Sequence, residues 1–167
     1  MLHYFYYLHF EYEYGKSEEG NPLKNGFAIG YFSTRAKAET QIQFHKNLPG
    51  FCDHPLDCFK IEKYGVRFKT KVEDKSLVNI WELSHEYYDG VYDYPTILPP
   101  FSTEKEAIEK KEKLKKKKPF CDYPDEFFIN EMEVDRYTGW TEGFRELDEE
   151  DEACREGFKN TTATTIR

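Results

Sequence analysis

An internal repeat constrains the fold of this chain more than any other feature. Phe32-Ser33-Thr34 and Phe101-Ser102-Thr103 open two blocks that close on Pro55 and Pro124. An offset of 69 residues carries residues 32–55 onto the second block without a gap, and nine of the 24 aligned positions are identical. Identities at both ends of one ungapped block are not a chance pattern. We therefore infer two tandem copies of one unit.

Each copy has the pattern of two strands, a helix and a third strand. In the first copy, apolar residues alternate over 4–14, and a short second strand is predicted at 27–32. A Ser/Thr cap precedes a helix predicted at 35–47, and a strand follows at 59–66. The second copy repeats this order. Its first strand aligns with 4–14 at an offset of 73, a Tyr- and Pro-rich loop is predicted from 89 to 100, and its last strand is predicted at 127–135.

The length of the copies predicts that they share one core. A unit of about 70 to 80 residues is only marginally stable alone, because it buries little surface. We predict an α+β fold in which two tandem ββαβ repeats share a mainly antiparallel sheet, with helices on one face, in a ferredoxin-like, pseudo-twofold arrangement. The first repeat spans 1–68, the second 75–144, and an acidic C-terminal extension spans 145–167, all within one compact domain. A monomer with internal pseudo-symmetry is expected.

Charge and composition narrow the class of partner. The formal net charge is −8, which argues against direct binding of nucleic acid and favours a basic partner protein, although acidity that only aids solubility explains it as well. No apolar run approaches 18 residues and no basic segment opens the chain, so we predict neither a membrane span nor a signal peptide. The four cysteines have irregular spacing, which is typical of reduced thiols and predicts a cytoplasmic protein.

The best candidate for a metal site is the spacing Cys52-x-His54-x3-Cys58, because thiolate and imidazole are the usual zinc ligands. The second copy keeps Cys121 but has Tyr123 opposite His54. We therefore predict that the shared cysteines are small buried residues at a turn, and that the protein holds no metal and no cofactor.

Two other motifs have a chemical and a structural interpretation. His85-Glu86 pairs an imidazole with a carboxylate, which suits acid–base chemistry, but a surface histidine at a strand end is the favoured interpretation. The run from Lys110 to Lys118 is basic, and a solvated helix end explains it better than RNA binding. With no spaced catalytic set, we predict a protein that is not an enzyme.

The features that favour partner binding are a tyrosine-rich loop and an acidic run. Tyrosine gives a large rigid contact, and carboxylates accept hydrogen bonds from Arg or Lys. The alternatives are that the tyrosines fold inward and that the acidic run is a solvated tail. The predicted partner-binding residues are Glu86, Tyr88, Asp89, Tyr92, Asp93 and Tyr94 in the loop, with Asp148, Glu149, Glu150, Asp151 and Glu152 in the run.

The motif string resembles a family of small bacterial domains of unknown function. That family has a (Y/F)-S-(S/T) opening, an Ala-bearing helix, then P-G-F-x-D-x-P, F-x-I and a closing W-T-E-G-F. The first copy has Pro49-Gly50-Phe51 but lacks the closing motif. The second copy has Trp140-Thr141-Glu142-Gly143-Phe144 but carries Lys118-Pro119 in place of Pro-Gly.

The resemblance implies an immunity protein, of the kind encoded beside the toxins of contact-dependent growth inhibition systems. Such proteins block a toxin, often a basic nuclease, by occluding its surface. It implies no catalytic residue. The alternative function is a non-enzymatic regulatory or small-ligand-binding module of a bacterial cytosol, with its groove between the two halves.

Overall fold

The computed structural model describes residues 1–17, 19–88, 93–136 and 140–145, with the backbone alone at 93 and 94. The fold is α+β, and the order strand, strand, helix, strand occurs twice. The elements of the first repeat are β1 (Leu2–Lys16), β2 (Pro22–Phe32), α1 (Arg35–His45) and β3 (Phe59–Arg67). Those of the second are β4 (Asn79–Tyr88), β5 (Asp93–Phe101), α2 (Glu104–Leu114) and β6 (Phe127–Glu133).

The strands form two separate antiparallel sheets of three strands, in the orders β2-β1-β3 and β5-β4-β6. The prediction of one shared, ferredoxin-like sheet with both helices on one face is therefore wrong. The reason lies in the central strands, which are buried on both faces over much of their length. One face contacts the helix of the same repeat, and the other contacts the opposite sheet. A strand of this kind is covered by face-to-face packing of the sheets.

Strand β1 shows this double burial most clearly. Its face with Leu8, Phe10 and Tyr12 packs with Ala38 of α1. Its opposite face contributes to a cluster that both repeats share. The buried members of that cluster are Phe5, Tyr7, Tyr31 and Val66 from the first repeat and Ile80 and Val134 from the second. Each central strand thus joins its own helix to the other half of the molecule.

The structure corrects the alignment of the two central strands. Leu8 pairs with Ile61 in the first repeat and Leu83 pairs with Ile129 in the second, so the structural offset from β1 to β4 is 75 and not 73. A slip of two residues keeps every side chain on the same face of the strand. The apolar alternation therefore could not distinguish the two alignments.

Strand β5 occupies most of the segment 89–100 that was predicted to be a loop. It pairs with β4 from Asp93 to Phe101 and contains Pro95, Pro99 and Pro100. Proline lacks the N–H that a central strand needs, but an edge strand tolerates it. The second strand of the first repeat is also longer than predicted, because β2 begins at Pro22.

The first helix is capped partly by the second repeat. Thr34 Oγ1 accepts a hydrogen bond from Lys37 N at 3.3 Å. The carboxylate of Asp135 accepts bonds from Ser33 N at 2.8 Å, from Ser33 Oγ at 2.6 Å and from Lys37 Nζ at 2.6 Å. A carboxylate at a helix N-terminus also interacts favourably with the helix dipole. Asp135 therefore ties the end of β6 to the start of α1.

In the second helix, the carboxylate at the N-terminus comes from the helix itself. Thr103 Oγ1 accepts from Glu106 N at 3.3 Å, and Glu106 Oε2 accepts from Ser102 N and Ser102 Oγ at 3.3 and 2.7 Å. The Glu106 carboxylate therefore bonds Ser102, the residue before the N-cap, and not the N-cap Thr103 itself. Lys37 stands at the equivalent position of α1, which explains why α1 needs an acid from elsewhere.

We expect Asp135→Asn to lower the free energy of unfolding by about 2 kcal/mol at pH 7, the usual value for hydrogen bonds to a charged group. Partial burial raises the pKa of Asp135, but bonds from Lys37 and Ser33 outweigh it and hold the pKa below its usual value. This stabilisation is present above the unfolded pKa of about 3.9 and is lost as the pH falls through the folded pKa. Urea denaturation measures the loss of stability at pH 7 and again at about pH 2.5, in the acid range where such a carboxylate becomes protonated. The control is Asp125→Asn, whose side chain is 90% exposed; an equal loss in both variants would contradict the capping role.

The segment Trp140–Phe144, here called the strap, crosses from the second repeat to the first. The Phe144 ring is 9% exposed and lies 4.6 Å from Phe27 and 4.9 Å from Phe51, between ring centroids. Phe144 N donates to the carbonyl of Pro49 at 3.0 Å. The W-T-E-G-F sequence of the second repeat thus packs on the Pro49-Gly50 turn of the first.

The equivalent place on the second repeat is built differently. Pro119 stands where the first repeat has Gly50, and the ring of Tyr87 stacks on Tyr123 at 4.1 Å. In the first repeat, Tyr12 and His54 make the corresponding contact at 4.3 Å, with Phe144 beside them. A Tyr–His pair beside the strap in the first repeat is therefore replaced by a Tyr–Tyr pair in the second.

Candidate functional site

A depression of about 570 Å³ lies at the hairpin end of the second repeat, where β4 leads toward β5. We call its lining the acidic face. Its residues are Glu86, Tyr87, Tyr88, Pro95, Glu126 and Phe128. Glu86 and Tyr88 are the two predicted partner-binding residues whose side chains the structure describes, and both line the depression.

The strands β4, β5 and β6 bring this set together. Glu86 pairs with Pro95, and Ser84 pairs with Phe128, so these residues lie on one face of the sheet. Glu86 N donates to the carbonyl of Glu126 at 3.0 Å. Ser84 is 1% exposed, whereas Glu86 two positions further along is exposed. The acidic face is therefore the open continuation of the face that packs against the first sheet.

The acidic face combines unneutralised charge with exposed rings. Tyr88 is 46% exposed and Phe128 is 47% exposed. Among the described residues, neither Glu86 nor Glu126 has an ion-pair partner. Carboxylates beside exposed aromatic rings can bind the cationic side chain of a partner through ion pairs and cation–π contacts.

The first repeat serves as an internal comparison for this face. Glu11 stands at the register position of Glu86, and Lys24 stands at that of Asp93. In the first repeat, Lys24 Nζ forms an ion pair with Glu11 Oε1 at 2.9 Å. The second repeat therefore has an acid at the position where the first repeat has the neutralising lysine.

The same comparison extends to β6. At the offset of 68 that relates β3 to β6, Cys58 corresponds to Glu126 and Lys60 corresponds to Phe128. A thiol and a lysine in the first repeat are thus a carboxylate and a ring in the second. The scaffold is common to both repeats, and the side chains at this end are not.

A buried hydrogen bond joins the repeats next to the acidic face. Tyr31 Oη donates to Glu82 Oε2 at 2.8 Å, and Glu82 is 6% exposed. Burial, together with the charge of Glu86, raises the pKa of Glu82, and the bond from Tyr31 offsets this only in part. Burial likewise raises the pKa of Tyr7 and of Tyr31, so these phenols stay protonated. The cluster is suited to holding the two sheets together.

We expect Glu82→Gln to stabilise the protein at pH 7 by a few degrees in Tm, and the gain to disappear in acid. A raised carboxyl pKa means that the folded state binds the proton more tightly, so ionisation of Glu82 reduces stability as the pH rises above the unfolded value of about 4.3. Glutamine still accepts the bond from Tyr31. Thermal melts between about pH 3.5 and 8 test this, since a glutamate with an ordinary or raised pKa titrates in that range. A Gln variant that is less stable than the parent at every pH would contradict the prediction.

The structure corrects two expectations about candidate reactive residues. His85 is not on the surface: it is 1% exposed, and its Nε2 donates to the carbonyl of Tyr123 at 2.8 Å. Cys52 is exposed and Cys121 is half-buried, so neither is the buried turn residue that was predicted. Each Sγ lies 3.7 Å from the carboxylate of the aspartate that follows it, which explains why a polar turn accommodates it.

The remaining predicted partner-binding residues are less fully described. Asp89 and Tyr92 lie outside the described residues, as does the run Asp148–Glu152. Of Asp93 and Tyr94 the structure describes the backbone, which belongs to β5. In the basic run, Lys115 Nζ lies 3.4 Å from Asp125 Oδ1, and Lys116–Lys118 are exposed near the end of α2.

No helix in the described ranges is long and apolar enough to cross a membrane. No group of three His, Cys, Asp or Glu side chains in this part of the chain is placed to hold a metal ion. Comparisons with protein-family models, with curated proteins and with solved structures each returned no match.

Proposed function

We propose that this protein binds a basic partner protein through the acidic face of its second repeat. The observation that carries the proposal is the difference between the two hairpin ends. The first repeat has the Glu11–Lys24 ion pair, whereas the second has exposed rings and carboxylates with no ion pair to any described residue. A duplicated scaffold needs no such difference for its own stability. An exposed end at which an acid replaces the neutralising lysine suits the binding of a basic partner.

Within that class, we propose an immunity protein that neutralises a bacterial toxin, such as a basic nuclease, by occlusion. The resemblance of the repeat motifs and the net charge of −8 support this proposal. An acidic surface of this kind accelerates association with a basic active site through long-range attraction. In the bacterial cytosol, the acidic run 146–152 would act as an auxiliary contact to the toxin. We also propose that a pseudo-twofold axis relates the two repeats.

Co-expression with a basic toxin domain encoded beside this chain tests the proposal. We expect the protein to restore growth, and Glu86→Lys to weaken the complex at least tenfold at low salt. The matched control is Glu13→Lys, which makes the same charge change at the hairpin end of the first repeat. Equal effects of the two variants would show that net charge alone matters, and failure of the parent protein to protect would reject the immunity function.

A further inference from the structure

The two carboxylates of the acidic face are neighbours across the strands. Because Ser84 pairs with Phe128 in an antiparallel register, the next position on the same face sets Glu86 opposite Glu126. The bond from Glu86 N to Glu126 O at 3.0 Å confirms that the two residues lie side by side. Like charges directly opposite each other on a sheet are destabilising. In the first repeat the corresponding pair is Glu11 and Cys58, which carries one carboxylate only.

The rings flank this pair along the strand direction. Phe128 lies one same-face position before the carboxylates and Tyr88 lies one position after them, each about 7 Å away along the strand. The order along the acidic face is therefore ring, carboxylate pair, ring. No lysine or arginine of the described residues forms an ion pair with either carboxylate. The second repeat thus places two carboxylates on adjacent strands where a cation could bind to both.

We infer that the Glu86–Glu126 pair is a seat for one arginine side chain of the partner, an inference that rests on the proposed function and gives it a chemical determinant. A guanidinium donates to two carboxylates at once in a planar fork and stacks on aromatic rings. A lysine ammonium is more strongly hydrated and lacks the flat surface that Tyr88 and Phe128 favour. The ring–acid–acid–ring order therefore selects arginine over lysine.

This inference predicts opposite effects on stability and on binding. Neutralising one carboxylate, as in Glu126→Gln, relieves the repulsion, so the free protein gains up to about 1 kcal/mol of stability, the range for a cross-strand pair. The same change removes half of the seat and weakens arginine binding several-fold. A purely structural carboxylate would give no gain in stability when it is neutralised, and a merely exposed one would change neither quantity.

NMR titration of the full chain tests the inference with three short peptides, Gly-Arg-Gly, Gly-Lys-Gly and Gly-citrulline-Gly. We expect the arginine peptide to shift the ring signals of Tyr88 and Phe128, the lysine peptide to bind at least threefold more weakly, and the neutral citrulline peptide to leave the signals unchanged. Equal binding of all three peptides, or shifts confined to other residues, would overturn the inference. So would an unchanged affinity in Glu126→Gln.

The outcome separates this inference from the proposed function. If the arginine peptide does not bind but Glu86→Lys still abolishes protection against the toxin, the arginine seat is wrong and partner binding by the acidic face stands. If the peptide binds as expected and Glu86→Lys leaves protection intact, the seat exists and the immunity function of this face is wrong.

Discussion

Phe144→Ala is expected to lower the free energy of unfolding by about 4 kcal/mol, within the range for truncation of a buried Phe. The side chain is the part of the strap that enters the core of the first repeat, where it meets Phe10, Phe27 and Phe51. Its loss leaves a cavity and also releases the contact by which the second repeat covers the first. Equilibrium unfolding in guanidinium chloride measures the change.

Phe44→Ala is the matched control, because Phe44 belongs to the first repeat and is 42% exposed. We expect it to cost about 1 kcal/mol or less, as most surface substitutions do. A Phe144→Ala variant as stable as Phe44→Ala would mean that the strap does not contribute to the core.

Gly50→Ala is expected to cost about 3 kcal/mol or more, through conformational strain and a steric clash that act together. Gly50 has φ +79, in the left-handed region that favours glycine. A Cβ at this position would lie 2.4 Å from the backbone oxygen of Phe144 and 2.8 Å from its ring. The backbone atom cannot rotate away, so the strap must move as a whole.

Gly20→Ala separates the two effects. Gly20 has φ +83, but a Cβ built there would meet nothing within 4 Å. It should therefore cost only the conformational part, about 1 kcal/mol. If the two glycine variants lose equal stability, the fit of the strap against Gly50 contributes nothing. The left-handed backbone conformation alone would then explain the loss in Gly50→Ala.

Local structure could be predicted because local signals determine it. The alternation over residues 4–14 and the Ser-Thr pair before each helix predicted β1, α1 and α2. The structure shows that the threonine of each pair, Thr34 or Thr103, is the cap. The strands extend beyond the predicted ends because hairpin pairing continues past the apolar residues. β2, for example, pairs with β1 as far as Pro22.

The arrangement of the sheets could not be predicted from the same signals. An apolar residue such as Phe5 shows that a strand face is buried, but not whether a helix or a second sheet covers it. The prediction of one shared sheet failed for that reason. Asp135 and Phe144 likewise act on the repeat to which they do not belong, and no local pattern assigns such partners.

The candidate site was predicted in part. Residue type alone predicted Glu86 and Tyr88, and both lie at the acidic face. It did not predict Glu126 and Phe128, because these residues lie in a different segment of the chain, around the start of β6. A signal for them did exist: the offset of 68 sets them against Cys58 and Lys60, a change from neutral and basic to acidic and aromatic. Comparing the repeats for their differences, and not only for their identities, would have found them.

The most direct test of this account asks whether the two repeats unfold together. The chain has two tryptophans: Trp81 lies in β4 of the second repeat, and Trp140 lies in the strap, 4.1 Å from Phe27 of the first repeat. In the single-tryptophan variants Trp140→Phe and Trp81→Phe, fluorescence during urea unfolding reports each region separately. We predict coincident transitions with the same midpoint and slope. Two separate transitions would contradict the account, because they would show that the repeats do not share one core.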